Sequence, residues 1–228
     1  METNLTNMRG TLTDLVLEFL EAAVHEFLFA WHVYPKEAFE QRVMYGVPIH
    51  MIRHPLLCHY IHSMLSGCRT WLSKGELEKF CVVLVSERGL PLETLALEPG
   101  WTTSFSEVED LDKDRPLPLL QLEESFRAGM VALVATSVSK IADQTDRLKP
   151  HTFRILVQTV EDAGNRETVI NDDNVSRSWL PADSFWYNNQ MKEKEILPVR
   201  AIQSAATPVR LLVYIEKHLP ASRTKASE

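Results

Sequence analysis

The sequence predicts an α+β domain in which helices cover one face of an antiparallel sheet, and three observations predict it. Apolar residues recur at three- and four-residue steps without a miss from Leu12 to Trp31, which is a helical period. After Gly75 the period changes to short apolar runs of strand length. The segments then follow as helix, helix, hairpin, helix, strand, irregular stretch and hairpin. Helices are not interleaved with strands as a parallel sheet would require.

The first helix carries its apolar stripe on Leu12, Leu15, Val16, Phe19, Leu20, Ala23, Val24, Phe27, Leu28 and Trp31. Thr11 or Thr13 is placed to cap its start, and Pro35 to end it. Val47 to Met51 reads as a short extended piece. His54-Pro55 opens a second helix with proline in its first turn and a stripe of Leu57, Tyr60, Ile61, Met64, Leu65, Cys68 and Leu72. Phe80 to Val85 is a continuous apolar run, the pattern of a strand buried on both faces. Arg88-Gly89 turns the chain into a second strand, Leu92 to Leu97. Residues 99 to 116 read as a loop whose tail, Glu107 to Asp114, holds five acids against one lysine, a solvated acidic segment.

A third helix is expected from Leu117 to Asp143, with Leu119, Leu122, Phe126, Met130, Leu133, Val134 and Ile141 facing inward. Phe153 to Val160 is a further strand. Residues 161 to 195 are polar and irregular, yet hold Trp179, Phe185, Trp186 and Tyr187. These aromatics either pin a long loop as a minor cluster or help to clasp a partner; long aperiodic segments in compact domains are usually functional or disordered. Ile196 to Ile202 and Leu211 to Ile215 complete the strands, and 220–228 is expected to be a disordered tail.

Bulk properties exclude several functions. Net charge is −7 and the pI about 5.7, with no basic stripe, which weighs against direct binding of DNA or RNA. Cys58, Cys68 and Cys81 form no CxxC pair, so neither a disulfide framework nor a zinc finger is indicated, and a reducing compartment fits. Met1 to Asp14 is acidic and polar, not basic then apolar, so no secretory signal is expected. No apolar run reaches the roughly 20 residues of a membrane span. The Asn-x-Ser/Thr triplets at Asn4 and Asn174 then read as chance matches in an intracellular protein.

Catalytic motifs are missing. The chain has only 8 glycines and no GxGxxG, GxxxxGK[ST] or GxSxG. His25-Glu26 begins like the zinc-protease HExxH, but Phe29 stands where the second histidine belongs. His54, Cys58, His59 and His62 offer metal-ligand types at helical spacing, but the two pairs point in different directions. A histidine-rich surface helix is expected there, not a metal site. Glu18 and Glu21 fall on or near a polar helix face, where they serve solubility. No cofactor, no metal and no enzymatic activity are expected.

Several segments resemble, in order and spacing, the HORMA-domain family. They are Asp14-Leu15; Glu18-Phe19-Leu20-Glu21 with Ala23 and His25; Val33-Tyr34-Pro35 with Phe39; Tyr45 with Val47-Pro48; and His54-Pro55 with Leu57 and Tyr60-Ile61. Within the family they look like the branch of B-type mitotic-arrest-deficient-like accessory subunits of DNA polymerase zeta. Glu78-Lys79, Arg88 to Glu93, Trp179 to Asp183, Ile196-Leu197-Pro198 and Leu212 to Glu216 continue the likeness. It is close over residues 12 to 98 and looser over 117 to 160.

The resemblance implies a single HORMA domain over 1–219, with a core over 11–164 and a C-terminal "safety belt" over about 165–219 that closes on a bound peptide. It implies a non-catalytic adaptor in translesion synthesis and DNA damage tolerance, located in the nucleus, that holds a proline-containing peptide of the polymerase zeta catalytic subunit. Tyr60, Trp179, Leu57 and Ala182 match peptide-contacting positions. Ile196, Leu212 and Tyr214 match the surface for the C-terminal domain of the Y-family scaffolding polymerase, although vertebrate members carry glutamine at the position of Leu212. Arg127 matches the arginine of a self-association surface. A HORMA homo- or heterodimer and an AAA+ remodelling ATPase are further implied partners. The other job open to the fold is capture of a kinetochore or meiotic-axis peptide.

Overall fold

The structure, a computed structural model, describes residues 2–102, 119–142, 150–160, 179–190, 192–203 and 208–218. In chain order the elements are α1 (Glu2–Ala30), β1 (Phe39–Met44), β2 (Val47–Ile52), α2 (Pro55–Gly67), α3 (Arg69–Lys74), β3 (Leu77–Val85) and β4 (Pro91–Trp101). They continue with α4 (Leu119–Ala142), β5 (Thr152–Thr159), α5 (Ser184–Gln190), β6 (Lys194–Gln203) and β7 (Val209–His218). The expected tail 220–228 and the acidic stretch 107–114 lie outside the described residues.

The first helix is longer than its stripe predicts, and neither threonine caps it. Thr13 lies inside the helix and donates its hydroxyl to Arg9 O at 2.8 Å. No proline interrupts residues 2–11, and Leu5 and Met8 continue the three- and four-residue steps, so the helix runs on toward the N-terminus. Pro35 does not end it either. His32 takes a left-handed φ of 55° while Val33 N–H bonds Leu28 O and His32 N–H bonds Phe29 O. That is a Schellman turn with histidine in the place glycine usually fills.

The extended piece at Val47 is one arm of a hairpin whose other arm, β1, carries too little alternation to be seen in advance. Met44 pairs with Val47 across a two-residue turn, Tyr45-Gly46, with both φ values positive (52° and 70°), the geometry of a type I′ hairpin. The positive φ favours glycine at Gly46, and a Cβ there would displace the Arg127 guanidinium. The second helix is broken at Cys68: the expected stripe continues, but Leu72 belongs to the separate α3. Gly75, at φ 75°, closes α3 through bonds from Gly75 N–H to Leu72 O and from Glu76 N–H to Trp71 O.

Five antiparallel strands form the main sheet in the order β5-β3-β4-β7-β6. β4 extends to Trp101, so Pro99, Gly100 and Trp101 are strand, not loop. Beyond Leu97 only β7 pairs with β4, and such local edges are where sheets tolerate proline. Trp101 folds onto the end of α3 and donates Nε1–H to Leu72 O at 2.9 Å.

On one face Phe80, Val82, Leu84, Leu95, Leu97, Val213 and Ile215 pack with Phe19, Phe27, Phe126 and Met130 of α1 and α4. Leu119 departs from the expected α4 stripe: it stands at the helix start and is exposed, whereas Leu122, Phe126, Met130 and Leu133 are buried. The side chain of Ile141 lies outside the described residues. Gly129 marks the closest approach of α4 to β6, since a Cβ there would collide with Ile202.

Helices do not cover one face alone. On the opposite face Cys81, Val83, Val85 and Ala96 pack under Trp186 of α5, with Leu156 and Tyr214 beside them. This second cover is why β3 is apolar and buried at every position from Phe80 to Val85. Burial pushes the Cys81 thiol up to about 12, so it remains a protonated core residue.

Candidate functional site

Among the described residues β5 pairs only with β3, so its outer edge presents unpaired backbone groups. Aromatic side chains gather at both ends of that edge. At the Phe153 end, Tyr60 of α2 meets the Phe153 ring edge-on at 6.1 Å, and Tyr34, from the turn after α1, meets it at 6.4 Å. Tyr60 keeps 40% of its surface exposed, which excludes a plain core role for it. Burial, and for Tyr34 the neighbouring Tyr60, raises both phenols, so both remain protonated donors at neutral pH.

At the other end Val160 N–H bonds Glu76 O, which ties the close of β5 to the end of α3. There Trp179 packs on Trp71 with ring centroids 6.2 Å apart. From Phe153 to Val160 an extended strand covers roughly 23 Å at about 3.3 Å per residue. Leu57, half-buried, lies one helical turn before Tyr60, and Met64 one turn after it. Ala182 is exposed in the stretch between Trp179 and α5.

Asp183 fixes the start of α5: its Oδ1 accepts Trp186 N–H at 3.1 Å, an N-cap arrangement. Trp186 drops onto the sheet, and the Arg154 guanidinium of β5 lies 5.0 Å from its ring centroid. About two turns of helix with one buried face give no readable period, so the aromatics at 185–187 read as irregular chain; the aspartate three residues before Trp186 was the available signal.

Ile196, Leu212 and Tyr214 share the outer face of the C-terminal hairpin. The register aligns Ile196 with Glu216 and Tyr214 with Pro198, while Leu211, Val213 and Ile215 turn to the core. Ile196 is 60% exposed. Tyr214 donates to Glu98, and Glu216, 4% exposed, is held by Lys79 at 3.2 Å and Lys194 at 2.5 Å. Burial opposes the charges of Lys79 and Glu216. The hydrogen bond to Tyr214 and the charge of Glu216 outweigh it for the lysine, raising it; Lys194 does so first for the carboxylate, lowering it. The face therefore offers apolar positions around a neutralised ionic centre.

Arg127 is exposed on α4 and donates Nε–H to Tyr45 O at 2.8 Å, bracing the β1–β2 turn. The histidine-rich stretch holds no metal cluster among the described residues. His62 pairs with Glu21 at 3.2 Å and the Cys58 thiol donates to Ile52 O. His25 and Glu26 are structural. His25 Nδ1 accepts Ile52 N–H at 3.1 Å, and Glu26 Oε2 accepts His50 N–H at 2.8 Å.

No family model matches the chain. Against whole proteins it is 30% identical over 220 residues to the mitotic spindle assembly checkpoint protein MAD2B of Gallus gallus, covering 93% of this chain and 94% of that one. The chain belongs to the MAD2B family. It is also 29% identical over 221 residues to human MAD2B, with 93% and 94% covered. To the DNA polymerase zeta processivity subunit of Arabidopsis thaliana it is 25% identical over 215 residues, with 92% and 87% covered. In shape it matches a chain of the mitotic checkpoint complex, with a TM-score of 0.67 at 19% identity, covering 92% of this chain and 99% of that one. Caenorhabditis elegans HTP-2 bound to a HIM-3 closure motif gives a TM-score of 0.60 at 9% identity, with 90% and 89% covered. The fold is the HORMA fold.

Proposed function

We propose that this chain is a non-catalytic adaptor of translesion synthesis that holds a proline-containing segment of the polymerase zeta catalytic subunit. The segment adds as a strand along the outer edge of β5, between the Tyr60–Phe153 and Trp71–Trp179 clusters. The belt of about 165–219 closes over it through the part that precedes β6, since β6 and β7 pair beside β4 at the far side of the sheet. The observation that carries this reading is the open edge of β5 with aromatics at both ends. Such an edge supplies backbone pairing for affinity and pockets for specificity. The polymerase assignment is supported by the relatives named as polymerase zeta processivity subunits, one of them matched over 92% of this chain.

The outer face of the β6–β7 hairpin, through Ile196, Leu212 and Tyr214, then receives the C-terminal domain of the Y-family scaffolding polymerase. Arg127 and the exposed side of α4 serve self-association or pairing with another HORMA protein, and an AAA+ ATPase resets the closed form. The chain works in the nucleus and meets DNA only through these partners.

Affinity purification of the wild type and of a Tyr60→Ala/Trp179→Ala variant, read by mass spectrometry, tests the reading. The wild type retains a B-family polymerase catalytic subunit and the variant loses it. Retention of kinetochore or meiotic-axis proteins instead would assign the chain to the checkpoint or meiotic role that the likeness to the mitotic checkpoint complex and HTP-2 makes the second reading.

A further inference from the structure

We infer that Trp71 is a specificity-determining donor of the β5-edge site, its indole N–H bonding a backbone carbonyl oxygen of the captured segment; this rests on the peptide-capture reading. The observation is an unpaired donor. Trp71 is 4% exposed, yet neither its Nε1–H nor that of Trp179 has an acceptor among the described residues, although both atoms are buried. The two rings that carry these orphan donors pack on each other with centroids 6.2 Å apart. The chain satisfies its indoles elsewhere: Trp31 donates to Glu93 at 2.6 Å and Trp101 to Leu72 O at 2.9 Å. A buried N–H left without an acceptor is costly, and native structures rarely retain one without a reason.

Position supplies the reason. Trp71 O accepts Glu76 N–H and Glu76 O accepts Val160 N–H, so the backbone that carries Trp71 is tied to the closing end of β5, and its indole packs on Trp179. A segment lying along that edge pairs half of its carbonyls with the strand. The others point away from it and, under a closed cover, have no water to bond. An indole N–H at the end of the track meets that need. The acceptor is a neutral carbonyl, since Trp71 belongs to the apolar core cluster and a bare carboxylate there would lose its hydration. Peptides that place a carbonyl at this point are favoured over those that cannot, because the site would otherwise keep its donor unpaired.

The probe is a peptide selected for binding to the full-length wild-type chain from a random displayed library. Its Kd is measured by calorimetry for wild type and Trp71→Phe, together with the Tm of each unbound protein. Removing the donor weakens binding by about fivefold or more, the worth of one hydrogen bond, while the unbound Tm stays level or rises because an unsatisfied group has been removed. If Trp71→Phe lowers Tm through lost volume, benzothienylalanine at position 71 keeps the indole shape without the N–H and gives the same weakening. Unchanged affinity in both variants overturns the inference and leaves peptide capture standing. Failure to select any peptide overturns both. Selected peptides unlike any segment of a polymerase catalytic subunit overturn the partner assignment, and the affinity ratio still decides the role of Trp71.

Discussion

Glu26, 1% exposed, shows how a single side chain can look catalytic and be structural. Its carboxylate spans from α1 to β2, taking the His50 backbone N–H and lying 3.1 Å from His50 Nδ1, while the His50 ring stacks on Phe29 at 3.5 Å. Phe29 occupies the position a second zinc-ligating histidine would need, so the residue that breaks the protease pattern also completes this packing. Glu26→Ala leaves the His50 N–H unpaired, and a loss of about 1–3 kcal/mol is expected in urea denaturation. His218 sets a pH dependence. Burial first, then Lys194, lowers its imidazole from 6.5 to about 4, and its Nε2 lies 2.8 Å from Thr94 Oγ1. Between those pH values the unfolded chain binds the extra proton, so stability is complete above about 6.5 and is lost as pH falls toward 4. The part due to His218 is about 1–2 kcal/mol once its partial exposure is allowed for. Glu216, whose carboxylate is lowered by Lys194 and Lys79, loses its contribution in the same direction at lower pH. His218→Gln should flatten the stability curve between pH 6.5 and 5, measured by denaturation at each pH.

At the scale of elements, α5 does the most for its length. Its seven residues carry an Asp183 cap and Trp186, 6% exposed, which closes the sheet face that α1, α2 and α4 leave uncovered. Trp186→Ala should cost about 3 kcal/mol, the range for truncating a buried aromatic, and should speed amide exchange across 184–190 far more than across α1. Long elements were legible in the sequence because many turns of one period average out exceptions. α4, β3 and β7 stand within a few residues of their expected places, and the stripes of α1 and α2 lie in helices although the start of one and the end of the other differ. The short ones were not. β1 has a charged middle and exposed Val43, and its turn depends on left-handed backbone at Tyr45 and Gly46. The start of α1 was hidden because Thr11 and Thr13 look like caps, yet both lie inside the helix, where Thr13 bonds Arg9 O instead.

Across the whole molecule the sheet separates the two surfaces proposed for partners. The β5 edge, flanked by α2 and α3, offers backbone pairing and aromatic pockets. The β6–β7 outer face, on the other side of the sheet, offers Ile196 and Tyr214 around an ionic centre. Periodicity alone could not find the first surface: Tyr60 and Trp71 fall on or beside apolar stripes and Phe153 opens an ordinary strand, so all three look like core. Likeness to the HORMA family singled out Tyr60, and it chose Trp179 from the aromatics that the aperiodic stretch had already raised. Trp71 escaped even that, because its unpaired N–H exists only in three dimensions. Hydrogen exchange of the chain with and without the captured polymerase segment tests strand addition most directly. The β5 amides of 152–159 that point away from β3 should become strongly protected, together with residues 179–183. Protection confined to the β6–β7 outer face or to α4, with 152–159 unchanged, would contradict capture at this edge.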